Sequence, residues 1–221
     1  MNAEKIFTFE DDIFQLIVKI PEVVDPQYGM FTWPSAPVLA QYLFVNRALF
    51  QGKTVIELGA GTALPGIVAS LCGCNVILTD KEEYPECLAN CLKSCHANQL
   101  FSVQVAGITW GQFSPNFFSL PDADIILGSD CFYDPKDFDD ILATASFLIN
   151  KTPSARFLTT YQERSSNWSI QSLLSKWDLQ CVHIPLKSFD AAGDLVGGHS
   201  MSSKHTIQML QITKSGYTVD D

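Results

Sequence analysis

Short apolar runs alternate with longer amphipathic segments along the chain from residue 53 onward. Each short run is rich in apolar and β-branched residues, which is typical of a buried strand. The runs that we predict as strands cover residues 53–58, 74–80, 102–107, 123–130, 154–161, 179–186 and 205–213. The longer segments repeat apolar residues at helical spacing. They predict a helix that ends near residue 71 and further helices over residues 82–99, 135–150 and 166–177.

This alternation predicts an α/β fold, because strands that alternate with helices form a mostly parallel sheet covered on both faces. A Gly- and Ser-rich stretch at residues 190–203 separates the last two runs and predicts a mobile, substrate-side loop within an antiparallel hairpin. We therefore expect a Rossmann-like seven-stranded sheet, mostly parallel, with an antiparallel C-terminal hairpin and helices on both faces. We predict a single domain over residues 1–221, with an N-terminal lid or extension (1–50), a core (51–213) and a tail (214–221).

The composition narrows the kind of partner that the protein binds. The 221 residues carry a formal net charge of −10, and 47% of them are hydrophobic. Because phosphate contacts dominate binding to nucleic acid, an acidic chain suits a basic protein segment better than a nucleic acid. The seven cysteines are an odd number, and no signal peptide or membrane-length apolar run is visible. We expect a soluble protein of the cytoplasm and nucleus.

Three cysteines, Cys87, Cys91 and Cys95, are spaced by four residues on a predicted helix. This spacing indicates one packed helix stripe, whereas a metal centre needs ligands that converge from a turn or from several elements. No metal site is predicted.

The most specific motif is IELGAGTALPG at residues 56–66, where a predicted strand leads into Gly59 and Gly61 and then into a helix. Glycines at such a turn let the chain change direction sharply and let a ligand approach the main chain. The next strand ends at Asp80, whose carboxylate can accept both ribose hydroxyls of an adenosine. Because open α/β sheets bind ligands beyond the carboxyl ends of their strands, these residues predict a nucleoside cofactor.

Two cofactors fit this description, S-adenosylmethionine and NAD. The dinucleotide fingerprint G-x-G-x-x-G requires a third glycine at the position where this chain has Leu64. The carboxylate of Glu57 repels a phosphate and suits the cationic end of S-adenosylmethionine. The sequence therefore favours S-adenosylmethionine, and an NAD-dependent oxidoreductase is the alternative from another enzyme class.

Further motifs surround the glycine turn: TWPSAPVLAQYL (residues 32–43) before the first core strand, GITWG (107–111) and SDCFY (129–133). Together with the turn and Asp80, they resemble the seven-β-strand, or class I, S-adenosylmethionine-dependent methyltransferases. Within that class the chain is similar to protein methyltransferases that carry a D-x-x-Y motif and modify lysines of chaperones, histones and other proteins. The resemblance covers roughly residues 28–213, and one similar member is associated with histone arginine methylation.

The resemblance implies a cofactor site built from the N-terminal lid and the strand ends. Asp80 would hold the ribose, and Glu57 would lie at the methionine end together with the glycines. Trp110 would pack on or near the adenine, since tryptophan faces stack well on such a ring. The full set implied for the cofactor is Trp33, Glu57, Gly59, Gly61, Asp80, Trp110 and Ser129.

The run DADIILG leads directly into SDCFYD, so a predicted buried strand ends at a carboxylate and a phenol. Asp130 and Tyr133 would bind a cationic amine beside the cofactor and orient its lone pair. Glu163, which follows the next strand in YQER, is a further candidate catalytic residue. Asp134 precedes Pro135, a pair that is typical of the N-cap and first position of a helix.

We predict an S-adenosylmethionine-dependent protein N-methyltransferase that acts on a basic side chain, either lysine or histone arginine. The D-x-x-Y motif fits lysine better, because the chain lacks the loop with two glutamates that the usual arginine methyltransferases carry. A catalytically weak protein that binds S-adenosylmethionine beside a partner is a further alternative. The expected partner is a protein substrate such as a histone or a chaperone, with no direct contact to nucleic acid or membrane.

Overall fold

A computed structural model describes residues 2–23, 30–165, 169–201 and 206–217. The described chain begins with the strands β1 (Asn2–Glu10) and β2 (Gln15–Val23), followed by the helices α1 (Ser35–Val45) and α2 (Arg47–Phe50). Strands and helices then alternate: β3 (Thr54–Leu58), α3 (Leu64–Leu71), β4 (Asn75–Asp80), α4 (Pro85–Ala97), β5 (Gln104–Gly107), α5 (Pro115–Phe118), β6 (Ile125–Ser129), α6 (Phe138–Lys151), β7 (Arg156–Gln162), α7 (Gln171–Lys176) and β8 (Leu179–His183). The remaining elements are a 3₁₀ turn (Leu186–Phe189), β9 (Leu195–Val196), β10 (His199–Ser200) and β11 (Ile207–Lys214).

Seven of these strands form one sheet in the order β5-β4-β3-β6-β7-β11-β8. The strands from β5 to β7 in this order are parallel to one another, and β11 runs antiparallel to both β7 and β8. This confirms the predicted seven-stranded, mostly parallel sheet with an antiparallel C-terminal pair. As a result, the carboxyl ends of β4, β3, β6 and β7 meet at one edge of the sheet.

Apolar cores lie on both faces of the sheet, because successive residues of a buried strand point to opposite sides. In β3, for example, Val55 packs into the core formed with α1, α3 and the N-terminal strands, while Ile56 packs into the core formed with α6. Both residues are fully buried. None of the helices in the described ranges is long and apolar enough to cross a membrane.

The N-terminal region, which we predicted only as a lid or extension, contains the antiparallel pair β1–β2. The side chains that alternate inward along it, Phe7, Phe9, Val18 and Ile20, are buried in the larger core. The period-2 pattern of these residues was a readable strand signal. The pair therefore belongs to the packed body of the protein.

Part of the Gly- and Ser-rich stretch, which we predicted as a mobile, substrate-side loop, is packed against the N-terminal strands. Its mobility and its place on the substrate side stay predictions. Its described part forms the short antiparallel pair β9–β10, which lies against β1. The Thr8 amide of β1 donates to the Gly197 carbonyl at 3.0 Å, and Val196, which precedes Gly197, is buried. Residues 202–205 lie outside the described residues, as do residues 166–168 of the predicted helix at 166–177.

Helix α6 begins at Phe138, three residues later than the predicted start. The Asp134 carboxylate accepts a hydrogen bond from the Lys136 amide at 3.1 Å. This local bond stabilises a turn before the helix, so Asp134 is not the N-cap that we predicted.

Candidate active site

A cavity of about 1020 Å³ opens at the carboxyl ends of the parallel strands. Its lining includes eight of the ten residues that the sequence assigned to the site: Trp33, Gly59, Gly61, Asp80, Trp110, Ser129, Asp130 and Tyr133. The other two, Glu57 and Glu163, lie elsewhere. The cavity has the size and the position of a nucleoside site in an open α/β sheet.

The turn after β3 forms the floor of one end of the cavity, which we call the donor end. Gly59 and Gly61 have φ angles of 62° and 55°, in the left-handed region that favours glycine. The Ala60 amide between them donates to the Thr79 carbonyl at 2.9 Å and ties the turn to the end of β4. A Cβ atom at Gly59 would lie 2.7 Å from Cζ2 of Trp110. The indole therefore packs directly on the turn, and only glycine fits beneath it.

Asp80, at the end of β4, supports this turn while it lines the cavity. The Gly61 amide donates to its Oδ2 at 2.7 Å, and the Lys81 amide donates to its Oδ1 at 2.7 Å. Burial raises the pKa of the Asp80 carboxyl, and the hydrogen bonds from the two amides oppose that rise. The carboxylate thus has remaining acceptor capacity next to the glycine turn, where a ribose would lie.

Glu57 lies beneath the turn and is fully buried, so its carboxyl group does not line the cavity. The Gly66 amide donates to its Oε2 at 2.9 Å. Burial raises the pKa of Glu57 to about 8, and the nearby Asp80 adds to this rise. The structure therefore differs from our prediction that Glu57 lies at the methionine end of the cofactor, because this group is buried beneath the turn and does not line the cavity.

Gly66 explains how helix α3 comes so close to the sheet. A Cβ atom at this position would collide with side-chain atoms of Leu78 and Glu57. The close packing that the third glycine provides in the dinucleotide fingerprint is therefore provided here two residues later, at Gly66 instead of Leu64.

Two cysteines near the donor end support backbone carbonyls and are not nucleophiles. The Cys91 thiol donates to the Gly61 carbonyl at 3.2 Å, and the Cys131 thiol donates to the Leu58 carbonyl at 3.3 Å. Burial raises the pKa of both thiols well above the usual value, which disfavours the reactive thiolate. The stripe Cys87, Cys91 and Cys95 is buried as predicted, and the described residues contain no group of ligands that could hold a metal.

Asp130 and Tyr133 line the same cavity where β6 ends, and we call this part of the cavity the acceptor end. Asp130 has a φ of 55°, an uncommon conformation for a residue other than glycine. Its amide donates to the Thr160 carbonyl of β7 at 2.6 Å, and its Oδ1 accepts from the Gln162 amide at 3.3 Å. The end of β7 thus fixes the direction of this carboxylate.

The sequence reasoning missed Arg164, which pairs with Asp130. Its Nη1 donates to Oδ1 of Asp130 at 2.9 Å and its Nη2 donates to Oδ2 at 2.7 Å. Such a bidentate, charge-assisted pair is among the stronger polar contacts in proteins. The only local signal was the position of Arg164 two residues after the end of β7, next to the residue that we had chosen, Glu163.

Glu163 does not line the large cavity. It lines a neighbouring cavity of about 290 Å³, together with residues that include Tyr161 and His183. Its amide donates to the Thr206 carbonyl at 3.0 Å, and its own carbonyl accepts from the Thr206 hydroxyl at 2.8 Å. Glu163 therefore lines the neighbouring cavity and not the one that Asp130 lines, and Asp130 is paired with Arg164.

Tyr133 keeps its phenol in the neutral form. Burial raises its pKa to about 12, and the carboxylate of Asp137 adds to this rise. The hydroxyl can therefore donate and accept hydrogen bonds, but it is not a phenolate base at neutral pH.

The comparison with known proteins decides the family. A family model described as lysine methyltransferase matches residues 14–172, which is more than half of the chain. The chain belongs to this methyltransferase family. Histone-arginine methyltransferase METTL23 of Xenopus laevis is 53% identical over 96% of this chain and 92% of its own length. Protein N-lysine methyltransferase METTL21A of Danio rerio is 37% identical over 61% of this chain and 67% of its own length.

Solved structures are similar in fold at low sequence identity. Magnesium protoporphyrin IX methyltransferase of Synechocystis with bound SAM has a TM-score of 0.55 and 13% identity, and the match covers 81% of this chain and 78% of that chain. The chain is thus an S-adenosylmethionine-dependent protein methyltransferase with the Rossmann-like fold. The NAD-dependent oxidoreductase that we considered is not supported by these relatives.

The donor end suits S-adenosyl-L-methionine in its shape and its polar groups. The left-handed glycine turn leaves main-chain atoms open to a ligand, and the indole of Trp110 lies against that turn. Asp80 offers carboxylate oxygens beside the turn, and Trp33 borders the cavity from the segment before α1. The assignment of each of these residues to one part of the cofactor remains a prediction.

Proposed function

We propose that the protein methylates an arginine side chain of a basic protein such as a histone, with lysine as the second candidate. The single observation that carries this proposal is the Asp130–Arg164 pair. It supports a guanidinium acceptor because both oxygens of Asp130 already accept hydrogen bonds from a guanidinium, at 2.9 and 2.7 Å. A carboxylate with this orientation can hold an arginine of a substrate in the same way.

The charge of the cavity supports a basic substrate. Five aspartates line it, Asp80, Asp130, Asp134, Asp137 and Asp140, against two cationic residues, Lys81 and Arg164. The chain as a whole has a net charge of −10. An excess of negative charge around a concave site attracts a cationic segment and raises its rate of association.

The names of the relatives support the same acceptor. The METTL23 relative, which matches nearly the whole chain, is named a histone-arginine methyltransferase. The less similar METTL21A relative is named a protein N-lysine methyltransferase, and the family model carries the lysine description. Lysine therefore remains the second candidate. A histone substrate also fits the cytoplasmic and nuclear location that we expect for this protein.

S-adenosylmethionine supplies a methyl group that is already activated by its bond to a sulfonium. The protein then has to align the acceptor nitrogen and control its charge. In our proposal Asp130 binds the cationic acceptor by its two carboxylate oxygens. The carbon–sulfur bond would break as the carbon–nitrogen bond forms, and the acceptor nitrogen would release one proton to solvent, so the methylated side chain keeps a single positive charge that Asp130 stabilises. Tyr133, whose raised pKa keeps it protonated, orients the acceptor by a hydrogen bond. The buried strand ends behind Asp130 keep its carboxylate in place.

A labelling experiment tests the proposal. The enzyme is incubated with methyl-labelled S-adenosylmethionine and with core histones, and the modified residue is mapped by mass spectrometry. We expect label on an arginine, and we expect it to disappear when that arginine is replaced by alanine in the histone. Label on lysine alone would favour the second candidate. Label on neither residue, in histones and in a cell extract, would refute the proposed acceptor class.

A further inference from the structure

The guanidinium of Arg164 is bound to the Asp130 carboxylate, which is the group that binds the acceptor in the proposed function. Two bonds from its Nη atoms and one from the Gln162 amide use three of the about four acceptor positions on the oxygens of Asp130. The Asp130 side chain keeps only 4% of its surface exposed. A second cation can form the same contacts with this carboxylate only when Arg164 has moved away.

Arg164 has room to move. Its side chain is 29% exposed, and the residue lines both the large cavity and the neighbouring cavity of about 290 Å³. Apart from Asp130, its guanidinium has a long hydrogen bond of 3.4 Å to the Gln162 carbonyl. An ion pair with one partly exposed partner opens more easily than a fully buried pair, because water can solvate the released charge.

We propose that Arg164 is an internal competitor that competes with the acceptor for the Asp130 carboxylate. Its guanidinium binds Asp130 in the free enzyme and is exchanged for the cationic side chain of the substrate. This inference rests on the proposed function, since it requires Asp130 to bind the acceptor. A substrate guanidinium replaces both hydrogen bonds that Arg164 gives up. Every cationic acceptor has to displace Arg164, so the competitor raises KM by the same factor for arginine and for lysine.

A purely structural role for the pair leads to the opposite expectation. Asp130 has an uncommon φ of 55°, and Arg164 could serve only to hold its carboxylate in the required direction. In that case loss of Arg164 would misplace Asp130, so kcat would fall or KM would rise. The direction of the change in KM therefore distinguishes a competitor from a support.

The first test compares Arg164→Ala and Arg164→Lys with the natural enzyme. The substrates are a basic histone-derived peptide with a single arginine and a twin peptide with lysine at that position. If the Asp130 carboxylate is free about one tenth of the time, Arg164→Ala lowers KM about tenfold for every peptide that the natural enzyme methylates. We expect kcat and the affinity for S-adenosylmethionine to stay within about twofold. Arg164→Lys keeps the positive charge but cannot form the bidentate contact of a guanidinium, so its KM should lie between those of Arg164→Ala and the natural enzyme.

Arg47→Ala is the matched control, because it removes another Arg–Asp pair outside the cavity. Nη1 of Arg47 lies 2.7 Å from Oδ2 of Asp11, and its side chain is similarly exposed, at 22%. We expect this variant to change the melting temperature without changing KM for the peptides. An unchanged or increased KM in Arg164→Ala, or a fall in its kcat, would overturn the proposal.

A second test uses the natural enzyme and remains decisive if Arg164→Ala does not fold. The chain has only three arginines, at positions 47, 156 and 164, so the side-chain NH signals of Arg164 can be assigned by NMR with the Arg164→Lys variant. We expect restrained rotation of its guanidinium in the free enzyme. Saturation with arginine peptide and S-adenosylhomocysteine should release it. A guanidinium that stays restrained in the saturated complex would contradict the exchange.

The proposed function and this inference fail in different ways. If the natural enzyme methylates neither peptide, the proposed acceptor class is wrong. Binding of methylguanidinium, followed by the shifts of signals around Asp130 and Tyr133, does not depend on turnover. Arg164→Ala should bind this probe at least about tenfold more tightly than the natural enzyme. Equal binding by both proteins would show that Arg164 does not compete for this carboxylate.

Discussion

The donor end and the acceptor end of the cavity are built in different ways. At the donor end, left-handed glycines and main-chain amides define the surface, and the Asp80 carboxylate is held by the amides of Gly61 and Lys81. At the acceptor end, the central contact joins two side chains, Asp130 and Arg164, that are 34 positions apart in the chain. The donor end therefore relies largely on backbone groups that hold Asp80 in place, and the acceptor end relies on a charged contact between two side chains.

This difference indicates how each end responds to change. A backbone cradle is preorganised, so a ligand finds it with little reorganisation, and substitutions there should alter affinity for the cofactor. At the acceptor end only Arg164 is partly exposed, whereas the Asp130 carboxylate is buried and held by the end of β7. Substitutions there should alter the reaction with the acceptor. The predictions that follow test this division, beginning with the acceptor end.

Asp130→Asn should give the largest effect. Asparagine keeps the shape of the side chain and removes the charge that holds a cationic acceptor. Loss of such an electrostatic partner in an active site costs about 10²–10³ in rate. We expect methyl transfer to fall by this factor, while the affinity for S-adenosylmethionine measured by calorimetry stays within a few-fold.

Asp139→Asn serves as the control for the loss of an ion pair. Asp139 pairs with Lys176 at 2.7 Å on the surface, outside the lining of the cavity. Its rate should be close to that of the natural enzyme. If Asp130→Asn instead loses cofactor affinity as strongly as it loses rate, Asp130 belongs to the donor end and the division is wrong. If it unfolds the protein, the charge is needed for stability.

The sequence was most informative where local pattern and burial coincide. The first two predicted core strands, 53–58 and 74–80, correspond to Thr54–Leu58 and Asn75–Asp80, since a buried strand needs a continuous apolar run. The glycine turn was readable for a similar reason, because a left-handed backbone between a strand and a helix restricts the residue type.

What the sequence did not reveal depends on tertiary contacts. The pairing of Asp130 with Arg164 follows from the way β7 ends beside β6, and no local pattern encodes it. The burial of Glu57 was missed for the same reason, because the strand that carries it is covered by α3 at Gly66. The pair β1–β2 differs from these cases, since its alternating pattern was present and was not used.

At the donor end, Gly59→Ala should reduce cofactor affinity on the order of a hundredfold, because the added methyl group forces Trp110 away from the turn. The left-handed backbone disfavours alanine by about 1–2 kcal/mol as well, which lowers the stability of the fold. The new Cβ would lie 2.7 Å from the indole. Gly52→Ala is a matched control: its φ of 76° imposes similar strain, but no atom lies within 4 Å of the added Cβ. Equal cofactor affinity in both variants would show that Trp110 is not part of the cradle.

Asp80→Ala should weaken binding of S-adenosylmethionine about tenfold to a hundredfold, the usual result of losing a charged hydrogen-bond partner. Calorimetry measures this affinity directly. At saturating cofactor, we expect kcat to remain much closer to that of the natural enzyme than in Asp130→Asn. A folded Asp80→Ala protein with unchanged affinity would remove Asp80 from the donor site, and the Gly61 contact would then be its main role.

Glu57→Gln should have the smallest effect on cofactor binding and a distinct effect on stability. The pKa of Glu57 in the folded protein is raised to about 8 from its usual 4.5, because the group is buried. As pH rises through this window, the unfolded chain releases the proton while the folded chain retains it. The free energy of unfolding of the natural protein therefore falls between these two pH values, by an amount on the order of a few kcal/mol.

Glutamine resembles the protonated carboxyl and has no proton to lose, so Glu57→Gln should show a flatter stability profile across this window. As pH rises toward about 8, we expect the free energy of unfolding of the variant to increase relative to that of the natural protein. Urea unfolding at a series of pH values measures this difference. Glu83→Gln is the control, because the pKa of this exposed carboxyl is lowered by the Thr109 hydroxyl and its influence is confined to acid pH. Because Glu57 is largely protonated at pH 7, cofactor affinity there should change by less than about twofold. A large loss of affinity in Glu57→Gln would mean that the buried Glu57 carboxyl does attract the sulfonium and belongs to the donor end.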